Sequence, residues 1–149
     1  MKVVLQRVMK ASVEIDGAIH SRIEKGLLVF LGVGNEDCEE DIQWLVKKIS
    51  QMRIFEDENG LMNRSLIDIQ GEILVVSQFT LMAQTKKGNR PSFIDAAKPD
   101  ISTPLYEIFL HKMDDVLDSD VQSGVFGADM NISLINDGPV TIIMDSKNR

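Results

Sequence analysis

Histidine is nearly missing from this chain, with only His20 and His111 among 149 residues. A Ser-His-Asp relay needs an imidazole within reach of its nucleophile. His20 falls on an expected hairpin strand and His111 sits beside Lys112 on the outer part of a helix, so both read as ordinary surface residues. Cysteine is scarcer still: the lone Cys38 leaves no internal disulfide and no Cys/His cluster for zinc, a usage that fits a reducing compartment. No apolar run approaches the roughly 18 residues that span a bilayer. The opening Met1 to Arg7 lacks the apolar segment and small-residue cleavage site of a secretory signal. A cytoplasmic location is therefore expected. Gly32-Val33-Gly34 is not followed by a dinucleotide-binding fingerprint and no phosphate-binding P-loop occurs, so neither a cofactor nor a metal is expected. Positive charge is in deficit, with 16 basic against 23 acidic residues and a net charge of -7. That balance argues against gripping nucleic acid through the overall field, while leaving room for a local basic patch.

What is present is an ordinary soluble composition, 44% hydrophobic and 26% charged. A chain of this size buries roughly 70% of its unfolded surface, which suits one domain over residues 1-149. Tight alternation predicts strands over Lys2 to Met9, Ser12 to Asp16 and Ala18 to Glu24, with Asp16-Gly17 as the hairpin turn. Leu27 to Val33 is continuously apolar, the pattern of a strand buried on both faces. Ile42, Leu45, Val46, Ile49 and Met52 recur at helical spacing, and Asp37 with Glu40 has the spacing of a capping box. Short strands are expected over Arg53 to Glu56, Glu72 to Phe79, Asp129 to Ile135 and Val140 to Met144, with a second helix opening at Ser102 and Pro104. Residues 82 to 101 show no period, and a loop that long in a compact domain is usually functional. The sum is an α+β domain, a mostly antiparallel sheet or barrel with two amphipathic helices against it.

Two strings carry the chemistry. In Ser77-Gln78-Phe79-Thr80-Leu81, polar side chains interrupt an apolar strand where it leaves the core. The plain reading is a strand end whose hydroxyls satisfy nearby backbone. Alternatively Thr80 is a weak nucleophile or orients a water, and the N-H groups of Phe79 and Thr80 form an oxyanion hole if they escape the ladder. In Asn136-Asp137-Gly138-Pro139-Val140-Thr141 the Gly-Pro pair is first a turn signal. An X-Pro bond is also the one common place for a cis peptide, which would hold two carbonyls rigidly as a stereochemical ruler. Carboxylate pairs such as Asp57-Glu58 are more simply solvated turns. Lys86, Lys87, Arg90 and Lys98 gather with only Asp95 as counter-charge, the one credible anion-binding segment.

These strings, with the opening Met1-Lys2-Val3-Val4-Leu5-Gln6-Arg7-Val8, the loop Lys87-Gly88-Asn89-Arg90-Pro91-Ser92-Phe93 and Gly127-Ala128-Asp129-Met130, closely resemble the D-aminoacyl-tRNA deacylases across essentially the whole chain. The resemblance implies a homodimer in which Gly138 and Pro139, joined by a cis bond, enter the partner's pocket built on Ser77, Gln78, Phe79 and Thr80. Met130 and Asn136 would join Gly138 and Pro139 in substrate binding and chiral selection. The implied substrate is the ester between an amino acid and the 3'-terminal adenosine of tRNA, with Lys86, Lys87 and Arg90 on the acceptor-stem phosphates. Backbone amides and the substrate's own 2'-hydroxyl would then replace a catalytic base. Two other classes remain open: a non-enzymatic nucleic-acid-binding module using the basic loop, and a general Ser/Thr esterase using Ser77 or Thr80.

Overall fold

The long first strand, β1 (Lys2–Ile15), organises everything else. The computed structural model describes residues 1–149, and along β1 the inward side chains are Val3 and Leu5, then Val8, then Ala11 and Val13. That change of phase is why the sequence reads as two strands; the backbone runs through because the pairing shifts register between Gln6 and Val8 and again between Val8 and Lys10. β1 turns at Asp16 and Gly17, both at positive φ (51° and 79°), into β2 (Ala18–Ile23), as a tight hairpin demands. β3 (Gly26–Gly32) returns antiparallel to the first half of β1.

β3 is buried on both faces, as its unbroken apolar run predicts. Leu27, Val29 and Leu31 enter a core of 22 buried residues shared with the helices. Leu28 faces a second core of seven, with Val8, Val13, Ile23, Leu74 and Val76. A crossover through α1 (Glu39–Gln51) and the small hairpin β4 (Phe55–Glu56) and β5 (Met62–Arg64) leads to β6 (Glu72–Ser77), parallel to β3. Gly26 permits this ladder, since a Cβ there would lie 1.8 Å from the Glu72 carbonyl oxygen. β6 ends at Ser77, two residues before the expected Phe79, because a 3-10 turn takes over at Phe79–Met82.

Ile42, Leu45, Val46 and Ile49 of α1 are buried, as their spacing requires. The cap lies one residue beyond the expected Asp37 and Glu40. Cys38 is the N-cap and its N-H donates to Asp41 Oδ2 at 2.9 Å, because Asp37 is engaged by the Gly34 N-H at 2.6 Å. The second helix, α2 (Pro99–Asp114), also starts earlier than the Ser102 and Pro104 signal. Pro99 takes the first helical position, where its missing N-H costs nothing, and Pro104 lies inside. Ser102, Tyr106, Phe109 and Met113 form the buried stripe.

β7 (Gln122–Ser123), without a periodic signal in so short a strand, pairs parallel to β6. Ser21 Oγ donates to the Ser123 carbonyl at 2.8 Å, so the β2 end of the sheet curls round to the β7 end. The result is a mixed, nearly closed sheet in which antiparallel ladders predominate, with two helices on one side. The last strand, β8 (Asn131–Asp145), is continuous where two strands around Gly138-Pro139 were expected. It pairs β1 as Val8↔Asn136 and Gln6↔Thr141, so the four residues Asp137 to Val140 oppose Arg7 alone. A wide bulge thus carries the Gly-Pro pair without ending the strand. No helix is long and apolar enough to cross a membrane.

Candidate active site

A cavity of about 280 Å³ opens where β3 and β6 end side by side, which is where parallel strands characteristically leave room for a ligand. Val76, Ser77, Gln78 and Phe79 line it from the end of β6, Leu31 from β3 and Val33 from just beyond it, Ser102 and Tyr106 from α2, and Phe126 to Met130 from the approach to β8. Met130 reaches the lining across Gly124, where a Cβ would lie 2.5 Å from its sulfur.

The lining holds only two titratable side chains, Tyr106 and Asp129. Burial pushes the Tyr106 phenol well above its ordinary range, and its hydroxyl donates to the Val75 carbonyl at 2.9 Å. It is a neutral fixture of the wall, unsuited to moving protons near neutral pH. His20 and His111 are exposed elsewhere on the surface, and no imidazole touches the cavity.

Backbone groups are what the rim offers. Gln78 donates its N-H to the Leu31 carbonyl at 2.8 Å and so finishes the β3 ladder. The next two residues begin the 3-10 turn, whose first internal bond runs from the Leu81 N-H to the Gln78 carbonyl at 3.2 Å. The N-H groups of Phe79 and Thr80 therefore have no protein acceptor. Thr80 lies just outside the lining, and its Oγ1 accepts from Gln78 Nε2 at 2.6 Å.

Gly138, Pro139 and Asn136 do not line this cavity. They sit on the β8 bulge, where the Gly138-Pro139 peptide is cis and Gly138 has a φ of 122°. Asn136 braces the bulge from within: Oδ1 accepts the Val140 N-H at 2.9 Å and Nδ2 donates to Thr141 Oγ1 at 3.2 Å. Arg7 braces it from β1. Its buried guanidinium donates to the Asp137 carbonyl at 3.2 Å and to the Ile54 carbonyl at 2.6 Å.

The structure therefore groups Ser77, Gln78, Phe79 and Met130 around one cavity, with Thr80 at its edge, and places the Gly-Pro bulge apart. Lys86, Lys87 and Arg90 are exposed on a loop outside the cavity, and none is paired with a carboxylate.

The family model described as D-Tyr-tRNA(Tyr) deacylase matches residues 4–145. The chain belongs to the D-Tyr-tRNA(Tyr) deacylase family. It is 60% identical over its full length to a D-aminoacyl-tRNA deacylase of Parabacteroides distasonis, covering 99% of that protein. It is equally similar, 60% over 149 residues and 99% of the relative, to one of Flavobacterium psychrophilum. Among solved structures it resembles a chain titled c-Myc DNA Unwinding Element Binding Protein, with a TM-score of 0.93 and 41% identity over 97% of this chain and 98% of that one. A probable eukaryotic D-amino acid tRNA deacylase shares the fold, with a TM-score of 0.80 at 19% identity over 96% and 97% of the two chains.

In this member of the deacylase family three supporting residues give no sign of their role in the sequence, although Arg7 lies within the opening string. Arg7 reads as one more polar position on an alternating strand, Tyr106 as a helix-face residue, and Phe126 as part of an unpatterned approach to β8. Only the strand register and the helix packing bring them to the bulge and the cavity.

Proposed function

We propose that this chain, as a single domain, hydrolyses the ester joining a D-amino acid to the 3'-terminal adenosine of tRNA and spares the L-ester. The observation that carries the reading is the pair of unpartnered N-H groups at Phe79 and Thr80, on the rim of a cavity with no histidine or lysine. An ester is an activated acyl group, so oriented donors and a positioned water suffice. A water oxygen adds to the carbonyl carbon, the developing oxyanion is held by the two amides, the ester C-O bond breaks, and the 3'-oxygen leaves with a proton. The neighbouring ribose 2'-hydroxyl assists the water. Ser77 and Gln78 shape the rim, and the Thr80 hydroxyl is secondary.

Selection against L-esters is an exclusion problem. The two enantiomers differ in the direction the side chain leaves Cα, so rigid carbonyls placed on the L direction reject it by clash. Gly138 and Pro139 of a partner subunit supply that wall, with Asn136 bracing it and Met130 facing it from the cavity lining. A C2 dimer suits this reading because the bulge lies away from its own chain's cavity and Ile135 and Ile143 of β8 are 50% and 76% exposed. Lys86, Lys87 and Arg90 take acceptor-stem phosphates, and the reaction belongs in the cytoplasm with the tRNA pool.

Incubation with D-Tyr-tRNA and L-Tyr-tRNA tests the proposal: loss of the D-ester with survival of the L-ester is expected, and a 2'-deoxy terminus should block it. Loss of both esters would indicate a general esterase. Retention of both, with RNA still bound, would indicate a binding module.

A further inference from the structure

Phe79 lines the cavity, and yet 58% of the residue is exposed in the single protomer. It meets the ring of Phe93 edge to face, with centroids 5.1 Å apart and planes at 71°. Phe93 is itself 38% exposed and is followed by Ile94, 74% exposed. Removing an aromatic ring from water is favourable, so two adjacent open rings form a surface suited to a flat apolar partner.

That surface is held in place. Gln84 and Ser92 exchange backbone bonds at 2.8 and 3.0 Å, closing the loop that carries Lys86, Lys87 and Arg90. On the other side of Phe93, the Ala96 N-H donates to the Phe93 carbonyl at 3.0 Å and the Ala97 N-H to the Val33 carbonyl at 3.0 Å. The aromatic pair therefore stands between the cavity, which Phe79 lines, and three unpaired cations. Open rings beside a basic track are the arrangement that binds single-stranded nucleic acid: bases stack on the rings and phosphates follow the charge.

We propose that Phe79 and Phe93 form a stacking platform for the penultimate base of the RNA 3' end, whose terminal nucleotide occupies the cavity. This rests on the tRNA-ester reading above. The platform makes recognition begin one nucleotide before the ester, between the cavity and the basic loop. It is indifferent to base identity, because every base presents a π-face.

Three substrates separate the contributions: D-tyrosyl-adenosine, the D-tyrosyl ester of cytidylyl-adenosine, and D-Tyr-tRNA. Replacing Phe93 by Leu should raise KM roughly fivefold to a hundredfold for the two substrates that carry a penultimate base. D-Tyrosyl-adenosine should not discriminate between variant and wild type, and Phe93→Tyr should restore wild-type values. The Lys86→Ala, Lys87→Ala, Arg90→Ala triple variant should weaken D-Tyr-tRNA alone and flatten its salt dependence. In a direct measurement on the wild type, a dinucleotide with 2-aminopurine at the penultimate position should lose fluorescence on binding. Equal losses on all three substrates, no loss on any, absence of quenching, or conversion of Phe93→Leu to a monomer would each overturn the platform. Failure of the wild type to cleave any D-tyrosyl ester would instead overturn the reading on which it rests.

Discussion

Arg7 Nε stands 3.1 Å from Asp137 Oδ2 and also bonds the Asp137 carbonyl, so one buried side chain of β1 holds both ends of the residue that begins the β8 bulge. The register explains the need. With four residues opposing one, the ladder has nothing else to offer the bulge from β1, and Arg7 replaces the missing backbone pairing with side-chain donors.

Removing Arg7 should therefore damage shape before it damages chemistry. Arg7→Ala leaves the Ile54 and Asp137 carbonyls without their donor and should cost roughly 3 kcal/mol, toward the low end for a buried pair because Asp137 keeps some access to water. Arg7→Lys keeps the charge but not the planar fork, and should recover stability without recovering D over L discrimination. Urea unfolding alongside the two deacylation rates checks both parts; full activity in Arg7→Ala would show that the bulge holds itself.

Gly138 is under a separate constraint. Its φ of 122° is a conformation that other residues rarely adopt, and a Cβ there would lie 2.9 Å from both Arg7 Nη2 and Val140 Cγ2. Gly138→Ala is expected to shift the bulge by a fraction of an ångström and lower kcat/KM on D-Tyr-tRNA by about a hundredfold, the usual scale of a small misplacement at a reacting centre. Its thermal midpoint should fall far less than its activity. A variant that loses fold and activity in proportion would point to a structural glycine only.

Thr80 tests whether a side chain or the backbone does the work. Its hydroxyl already accepts from Gln78, while its N-H is free. Thr80→Ala keeps the N-H and loses only the hydroxyl, so kcat should fall by less than about tenfold. A nucleophile's removal typically costs orders of magnitude more, so a loss of about ten-thousandfold in single-turnover hydrolysis would restore the esterase reading.

Acid stability should report the base of α1. Burial alone would raise the Asp41 carboxyl, but the bonds from Lys147 Nζ at 2.7 Å, the Cys38 N-H at 2.9 Å and Ser146 outweigh it, and the group is held well below the ordinary carboxylate range. Its folded pKa is depressed, so its contribution is complete above the unfolded value of about 3.9 and is lost as pH falls through the folded value. Wild-type stability in urea should decline steeply below about pH 4. Asp41→Asn should be weaker at neutral pH and flatter over the acid limb; an identical limb would place the titrating group elsewhere.

Much of this fold was legible because its signals are local. The run Leu27 to Val33 and the spacing of Ile42, Leu45, Val46 and Ile49 each report burial through period alone. The capping box was displaced by one residue because Asp37 bonds the Gly34 N-H, a contact that depends on how β3 ends. Of the site, Ser77 to Phe79 and Met130 were legible as motif residues, and the structure places them round one cavity. Arg7 stood within the opening string, but its role was hidden, because that role exists only once β8 bulges opposite it, and a contact across 130 positions leaves no periodic trace. Tyr106 was hidden for a related reason: its partner, the Val75 carbonyl, lies on the neighbouring sheet.

Exclusion of an L side chain and positive recognition of a D side chain predict different outcomes for glycine. A pocket that grips a D side chain should bind glycine poorly, because the grip is missing. A pocket that only blocks the L direction has nothing to block when the side chain is a hydrogen atom, and in the proposed mechanism the amides of Phe79 and Thr80 meet the same ester carbonyl either way. Glycyl-tRNA should therefore be cleaved at rates approaching those of D-Tyr-tRNA, while L-alanyl-tRNA, larger by one methyl group, should survive. Enzyme titrations against the three esters, scored by the concentration that clears half of each, give the comparison. Glycyl-tRNA that survives concentrations clearing D-Tyr-tRNA would mean that the side chain is held rather than merely admitted.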